Sequence, residues 1–206
     1  MSAAMAWMGG SFDPVHDGHL AIARAAADRL NLEQLLMVPA ALPPHKRERR
    51  LASGEDRLAL LAIACADDPR LQPSNVELLR EGPSYSYHTA LELRRRYGDD
   101  TPLFFIVGAD TLQDLASWYR IAELAEIVTF CPVTRPGSSL DPEFLVSTIG
   151  AAAVARIAEH VIAVPPHPGA STAIREALAR GEAPEHLPGA VHAAIVERGL
   201  YGAGGA

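Results

Sequence analysis

Two histidines three residues apart, His16 and His19, follow a glycine pair in the phrase Gly9-Gly10-Ser11-Phe12-Asp13-Pro14-Val15-His16-Asp17-Gly18-His19. Glycine lets a backbone approach a ligand closely because no Cβ intervenes. A helix opening at the histidines would add free N–H groups and the positive end of its dipole, so the phrase reads as an anion site. Imidazoles suit anion binding, since neutral they donate a hydrogen bond and protonated they add charge. The spacing is neither GxGxxG nor GxxxxGK[ST], which separates it from dinucleotide-binding and P-loop turns. A histidine pair at i, i+3 is also a metal-pair spacing. No third ligand is spaced to complete a zinc site, however, and HExxH is absent, so no metal-ligating residue is assigned.

Other candidates lie far along the chain. Arg175 falls in the first turns of a helix beginning near Ser171, where N–H groups, the Ser171 and Thr172 hydroxyls and a guanidinium could meet one anion. Standing alone, it would be a surface helix arginine. Gly108 and Asp110 follow an apolar run at its carboxyl end, where ligands enter open α/β sheets; Asp110 could accept from a ribose hydroxyl or a base amine, or could cap the next helix. His45 and Lys46 stand on a proline-braced basic loop that could hold a phosphate or could simply be solvated. Trp118, beside Tyr119, offers a flat face to a cationic ring or packing against a helix over 121–124. Arg135, before Pro-Gly, is a weaker anion candidate.

The elements that must position these residues alternate in kind. Ala4–Met8, Leu35–Val38, Leu103–Val107, Ile127–Phe130 and Val161–Val164 are short apolar runs that read as strands, with Asn75–Leu79 as a further candidate. Leu20 to Leu30 repeats apolar residues at three- and four-residue spacing, and Ser53-Gly54-Glu55-Asp56 resembles a capping box opening a helix to about Ala66. Tyr87–Arg96, Ser171–Ala179 and Ala190–Arg198 complete the expected helices. Three prolines after Val38 make residues 39–47 a loop. The predicted fold class is α/β: a Rossmann-like parallel sheet covered by helices on both faces. The predicted domain is single, 1–206, with a small helical C-terminal part from about 166.

The 206 residues are 49% hydrophobic and 21% charged, which is globular composition and excludes bulk disorder. Eighteen basic against twenty-five acidic residues give a net charge of −7, which argues against a nucleic-acid coat protein. The densest positive stretches are Lys46 to Arg50, which would steer anions if that loop borders the cleft, and Arg94 to Arg96. Two cysteines without a CxxC pair fit a reducing, cytoplasmic setting, and no apolar run reaches membrane-spanning length. Both cysteines are expected in the core. Whether copies form a homo-oligomer is not written in these patterns.

The glycine-histidine phrase resembles the GG(T/S)FDPxHxGH signature of HxGH-class nucleotidyltransferases. Within that class the chain looks most like the bacterial nicotinate-nucleotide adenylyltransferases. Pro43-Pro44-His45-Lys46, Gly82-Pro83-Ser84-Tyr85-Ser86, Phe105 to Asp110, Trp118-Tyr119-Arg120, Arg135-Pro136-Gly137 and Ser171 to Arg175 follow in the family's order. The resemblance implies adenylyl transfer from ATP, with Mg²⁺ accompanying it, to nicotinate mononucleotide. It further implies ATP contacts from Gly9, Gly10, Ser11, Phe12, His16, His19, Gly108, Asp110, Ser171, Thr172 and Arg175, of which His16, His19 and Arg175 act on the phosphates. Acceptor contacts are implied for His45, Lys46, Tyr85, Ser86, Trp118, Tyr119 and Arg135. Two positions depart from the pattern: Ala170 replaces a serine and His88 stands where an aspartate is common. Transfer to nicotinamide mononucleotide or another phosphate acceptor, and a catalytically weak nucleotide-binding regulator, are the alternatives; Trp118 and Ser84-Tyr85-Ser86 favour the nicotinate acceptor.

Overall fold

A computed structural model describes residues 4–42, 51–135, 137 and 140–203. Its elements run β1 (Met5–Gly10), α1 (Asp17–Arg29), β2 (Leu35–Pro39), α2 (Gly54–Cys65), β3 (Leu71–Pro73), α3 (Ser86–Tyr97), β4 (Leu103–Gly108) and α4 (Ala109–Gln113). They continue through α5 (Ile121–Ile127), β5 (Thr129–Thr134), α6 (Val146–Ile149), α7 (Ala151–Glu159), β6 (Ile162–Ala163), α8 (Ser171–Ala179) and α9 (Gly189–Glu197). All the strands pair parallel in the order β3-β2-β1-β4-β5-β6. The expected parallel sheet is therefore present. Its strand order reverses direction between β1 and β4, which opens a crevice beyond their carboxyl ends.

Strand side chains alternate between two apolar clusters, as a pleated sheet covered on both faces requires. Ala6, Met8, Leu35, Met37 and Ile106 join helices α1, α2, α8 and α9 on one face. Met5, Trp7, Leu36, Leu103 and Phe105 join α3, α5 and α7 on the other. There Trp7 stacks on Phe105 with centroids 4.3 Å apart. Cys65 and Cys131 are buried free thiols, as expected, and burial pushes them up to about 11 and about 12. Among the described residues, no helix is long and apolar enough to cross a membrane.

Two element expectations need correction. Asn75–Leu79 forms turns, Leu79 N–H donating to Asn75 O at 3.1 Å, and the third strand lies earlier at Leu71–Pro73. The residues after Pro73 leave the sheet and turn Val76 and Glu77 inward together, and two consecutive buried side chains are not the alternating burial of a strand. The fifth strand runs Thr129–Thr134 and not Ile127–Phe130, because Ile127 still ends α5, whereas α1 opens at the histidines as expected. α7 comes from an alanine-rich stretch whose apolar anchors are only Val154 and Ile157.

A buried carboxylate fixes the turn after β1. Asp13 is 2% exposed, and its Oδ1 accepts from Ala52 N–H at 3.0 Å and from the Tyr201 hydroxyl at 2.9 Å. The Arg57 guanidinium, itself fully buried at the start of α2, donates to Ser11 O at 2.8 Å and Ala52 O at 3.0 Å. Burial lowers its proton affinity, while the neighbouring Asp13 charge supports its protonated form. From α8, Arg175 donates to Asp13 O, and Ser171 Oγ donates to Pro14 O at 3.0 Å. Three separate parts of the chain thus close on one turn.

The arginines at the end of α3 have a structural use. Arg94 donates to Gly98 O, Asp99 O and Thr101 O at 3.1, 2.6 and 2.7 Å and to Ile127 O at 2.7 Å. These carbonyls precede β4 and β5, at the end of the sheet opposite the crevice, so Arg94–Arg96 do not steer ligands into it. Arg94→Ala should lower the urea midpoint by the equivalent of about 1–2 kcal/mol and leave nucleotide affinity unaltered by titration calorimetry. Tyr201→Phe, which removes only the hydroxyl from Asp13, should cost about 1.5–2 kcal/mol in the same denaturation assay.

Candidate active site

The crevice at the β1/β4 switch holds two adjoining cavities of about 380 and 660 Å³, each of a size to take a nucleotide-sized ligand. Ile22, Gly108 and Val133 line both, so ligands in the two would meet at the end of β4. The glycine pair ends β1 at the first cavity. A Cβ on Gly10 would stand 3.0 Å from Cζ of Phe12, so the turn has no room for one. Phe12 itself takes a left-handed conformation, φ 46°, and buries its ring edge-on to His19 at 5.0 Å. Its backbone therefore shapes the turn while its ring supports a histidine.

The larger cavity gathers His16, His19, Gly108, Asp110 and Arg135. His16 caps α1 and is 7% exposed; its ring lies 3.8 Å from that of His19, centroid to centroid, and its backbone N–H donates to His19 Nδ1 at 3.3 Å. Burial, reinforced by the nearby His167, lowers its pKa to about 4, so in the free protein His16 is a neutral imidazole. Gly18 makes that burial possible, because a Cβ there would be 3.1 Å from the His16 ring. Asp110 sits in the first turn of α4, whose cap is Gly108, so it faces the cavity and does not cap the helix. Arg135 is grouped by the resemblance with the acceptor residues but lines this cavity with Thr134, the last residue of β5; the strand's end sets its side.

The smaller cavity gathers Gly9, Gly10, Ser11, Tyr85, Ser86, Trp118 and Tyr119. Trp118 is half-buried, its ring centroid 6.0 Å from that of Phe105, so it serves at once as apolar packing and as cavity wall. Tyr119 stacks on Tyr85 at 4.6 Å, and His88 flanks both rings at 5.5 and 6.0 Å. Arg120, in the left-handed region at φ 53°, sets its guanidinium 4.4 Å over the Tyr87 ring and turns the chain from Trp118 into α5. His45 and Lys46 lie outside the described residues.

The second stretch reaches the site through the Asp13 turn. Arg175 divides its guanidinium between Asp13 O and, at 3.1 Å, Thr172 Oγ1, and Ser171 is held on Pro14 O. Ala170 occupies the cap of α8 without a side-chain hydrogen bond, so Ser171 is the nearest hydroxyl to the missing serine's place. Residues 13–14 and 171–175 therefore meet at this turn, while Ser171, Thr172 and Arg175 line neither of the two cavities.

Several lining residues have no local signature. Glu77 is buried beneath the smaller cavity, accepts from Thr89 Oγ1 at 2.7 Å, and has its carboxyl pushed up by burial. Ser84 Oγ accepts from Ala41 and Leu42 N–H at 2.9 and 3.2 Å, which fixes the start of the loop after β2. Ser84 belongs to the Ser84-Tyr85-Ser86 phrase that the resemblance already singles out. A lone glutamate in a misassigned strand carried no signal.

Comparison with known proteins agrees with this geometry. The Cytidylyltransferase-like family model matches residues 7–180. A probable nicotinate-nucleotide adenylyltransferase of Geobacillus thermodenitrificans is 40% identical over 196 residues, covering 95% of this chain and 84% of the relative. One from Salinispora arenicola is 39% identical over 196 residues, covering 94% and 99%. Among solved structures, a Plasmodium falciparum nicotinic acid mononucleotide adenylyltransferase complexed with NaAD shares the fold with a TM-score of 0.76 at 14% identity, covering 97% of this chain and 98% of its own. With a family model spanning most of its length and relatives of this identity along nearly all of it, the chain belongs to the nicotinate-nucleotide adenylyltransferases of the cytidylyltransferase-like family.

Proposed function

We propose that the protein transfers the adenylyl group of ATP to nicotinate mononucleotide, forming nicotinate adenine dinucleotide and pyrophosphate, with ATP in the histidine-lined cavity and the acceptor in the aromatic one. The observation that carries this reading is the shared wall at Ile22, Gly108 and Val133, because in-line transfer needs two ligands whose phosphates meet. A phosphate oxygen of the mononucleotide attacks the α-phosphorus of ATP. The bond to the β-phosphate oxygen breaks, and its electron pair leaves with pyrophosphate. No general base is required, since the attacking phosphate is already ionised near neutral pH, and the buried Asp13 is a positioning residue.

Catalysis on this reading is alignment and charge neutralisation. His16 and His19 donate to the ATP phosphates from the start of α1, whose N–H groups add their partial charge. Arg175, Ser171 and Thr172 approach the same phosphates from α8, and Asp110 accepts from the ribose or base. Magnesium arrives as part of the substrate MgATP, its hard-ion preference for oxygen met by phosphates and water. Trp118 stacks on the pyridinium ring, and Tyr85, Ser86 and Tyr119 close the acceptor cavity, with His45 and Lys46 assigned to its phosphate.

Purified protein with ATP, Mg²⁺ and nicotinate mononucleotide should release pyrophosphate. Nicotinamide mononucleotide and phosphopantetheine should be poorer acceptors in the same assay; equal or better rates with either would replace the acceptor assignment. His19→Ala should lower kcat about 10²–10³-fold with an unchanged circular dichroism spectrum. Trp118→Ala should instead raise KM for the mononucleotide about tenfold while KM for ATP holds, the pattern of lost ring stacking.

A further inference from the structure

Three residues that no local spacing connects come together beside the histidine-lined cavity. Asp17 is the first residue of α1, His167 lies between β6 and α8, and His186 lies between α8 and α9. One ligand atom of each, a carboxylate oxygen and two ring nitrogens, all lie within 4.8 Å of one another. The two imidazoles meet edge to face with centroids 4.9 Å apart. The backbone holds this arrangement directly: Asp17 N–H donates to His186 O at 3.0 Å, and His186 takes a left-handed conformation at φ 62°.

Two glycines make the room. A Cβ on Gly169 would stand 3.0 Å from His167 Nδ1 and 3.1 Å from His186 Cβ, and one on Gly18 would stand 3.3 Å from His167 Nδ1. Both are closer than ordinary contact, so the imidazole pair would have to shift by a few tenths of an ångström for a side chain at either position. We propose that Asp17, His167 and His186 bind a divalent transition-metal ion, of which zinc suits the donor set best. Two imidazoles and one carboxylate are borderline ligands that suit zinc, whereas magnesium and calcium select all-oxygen sets. Zinc bonds of about 2.0 Å place tetrahedral ligand atoms about 3.3 Å apart, so the group must contract by up to about 1.5 Å. His167 can supply that movement. It is exposed, and its Nδ1 accepts a local bond from Gly169 N–H at 3.1 Å, so a metal binds through Nε2 or by displacing that one bond.

Three protein ligands leave the fourth position to water. The ion would pin the segments on either side of α8 to the start of α1, one residue from His16, and so brace the region where the two phosphate-binding stretches converge. This site is independent of the adenylyl-transfer reading, because it is defined by ion binding in the absence of nucleotide.

The test uses the full chain stripped with chelator and titrated without ATP. Cobalt(II) should give the visible absorption of a nitrogen-ligated ion, saturating at about one ion per chain and displaced by zinc, and zinc should raise Tm. His167→Ala and His186→Ala should each weaken zinc binding about tenfold or more and abolish the rise in Tm, with metal-free circular dichroism and Tm reporting that each variant is folded. Asp17→Asn, which keeps the side chain's shape, should weaken binding in the same direction. Absence of saturable uptake by the folded wild type would overturn the site. So would unchanged zinc affinity in both histidine variants, which would place the ion elsewhere, such as at His16 and His19.

Discussion

A carboxylate taken out of water must find its donors and counter-charges within the protein, and Asp13 draws them from three parts of the chain. The Ala52 N–H and the Arg57 charge come from the start of α2, the Tyr201 hydroxyl from beyond α9, and the Arg175 guanidinium, 3.7 Å from Oδ2, from α8. The turn so fixed carries Gly9 and Gly10 on one side and His16 on the other, so the placement of both cavities' walls follows from this one buried charge. The carboxylate is used to hold shape. Its oxygens are already occupied by donors, which is why it suits a positioning role and not proton transfer.

The parallel sheet supplies the second constraint. Its strand order reverses between β1 and β4, and only there can a ligand enter between the loops that follow adjacent strands. Glycines end both strands: Gly9-Gly10 on β1 lines the aromatic cavity, and Gly108 on β4 lines both. Around these strand ends the walls differ in chemistry. One is aromatic, with Trp118 and the Tyr85–Tyr119 stack; the other is built of imidazoles at a helix start. A chain of net charge −7 can attract a polyphosphate only through such local arrangements, because its overall field opposes one. The neutral state of His16 in the free protein fits the same pattern: no buried standing charge has to be maintained before an anion arrives.

Much of this is legible in the residues. The strand over Leu103–Val107 is all apolar and aromatic or branched and could hardly be other than central. The Ser53 cap opens α2 as its type and spacing foretell, Ser53 Oγ accepting from Asp56 N–H at 3.0 Å. Where sequence and structure part, local pattern competes with tertiary packing. Val76 and Glu77 alternate polarity like a strand, yet they turn inward because the chain must leave the sheet to reach Ser84 and the cavity. Arg94 to Arg96 have the composition of a positive surface, yet they include a guanidinium that satisfies four backbone carbonyls.

What the sequence determined by itself was the set of elements, the glycine-histidine phrase and the chemical class of the site, since each is written within a few neighbouring residues whose propensity and spacing act locally. What only the tertiary structure decided was which distant residues share a turn. Arg175 reaches Asp13 across 162 positions and Tyr201 across 188, and Asp17 meets His167 and His186. Such meetings depend on how helices settle on the two faces of a twisted sheet, and that packing follows from the summed burial of the whole chain and not from any segment of it.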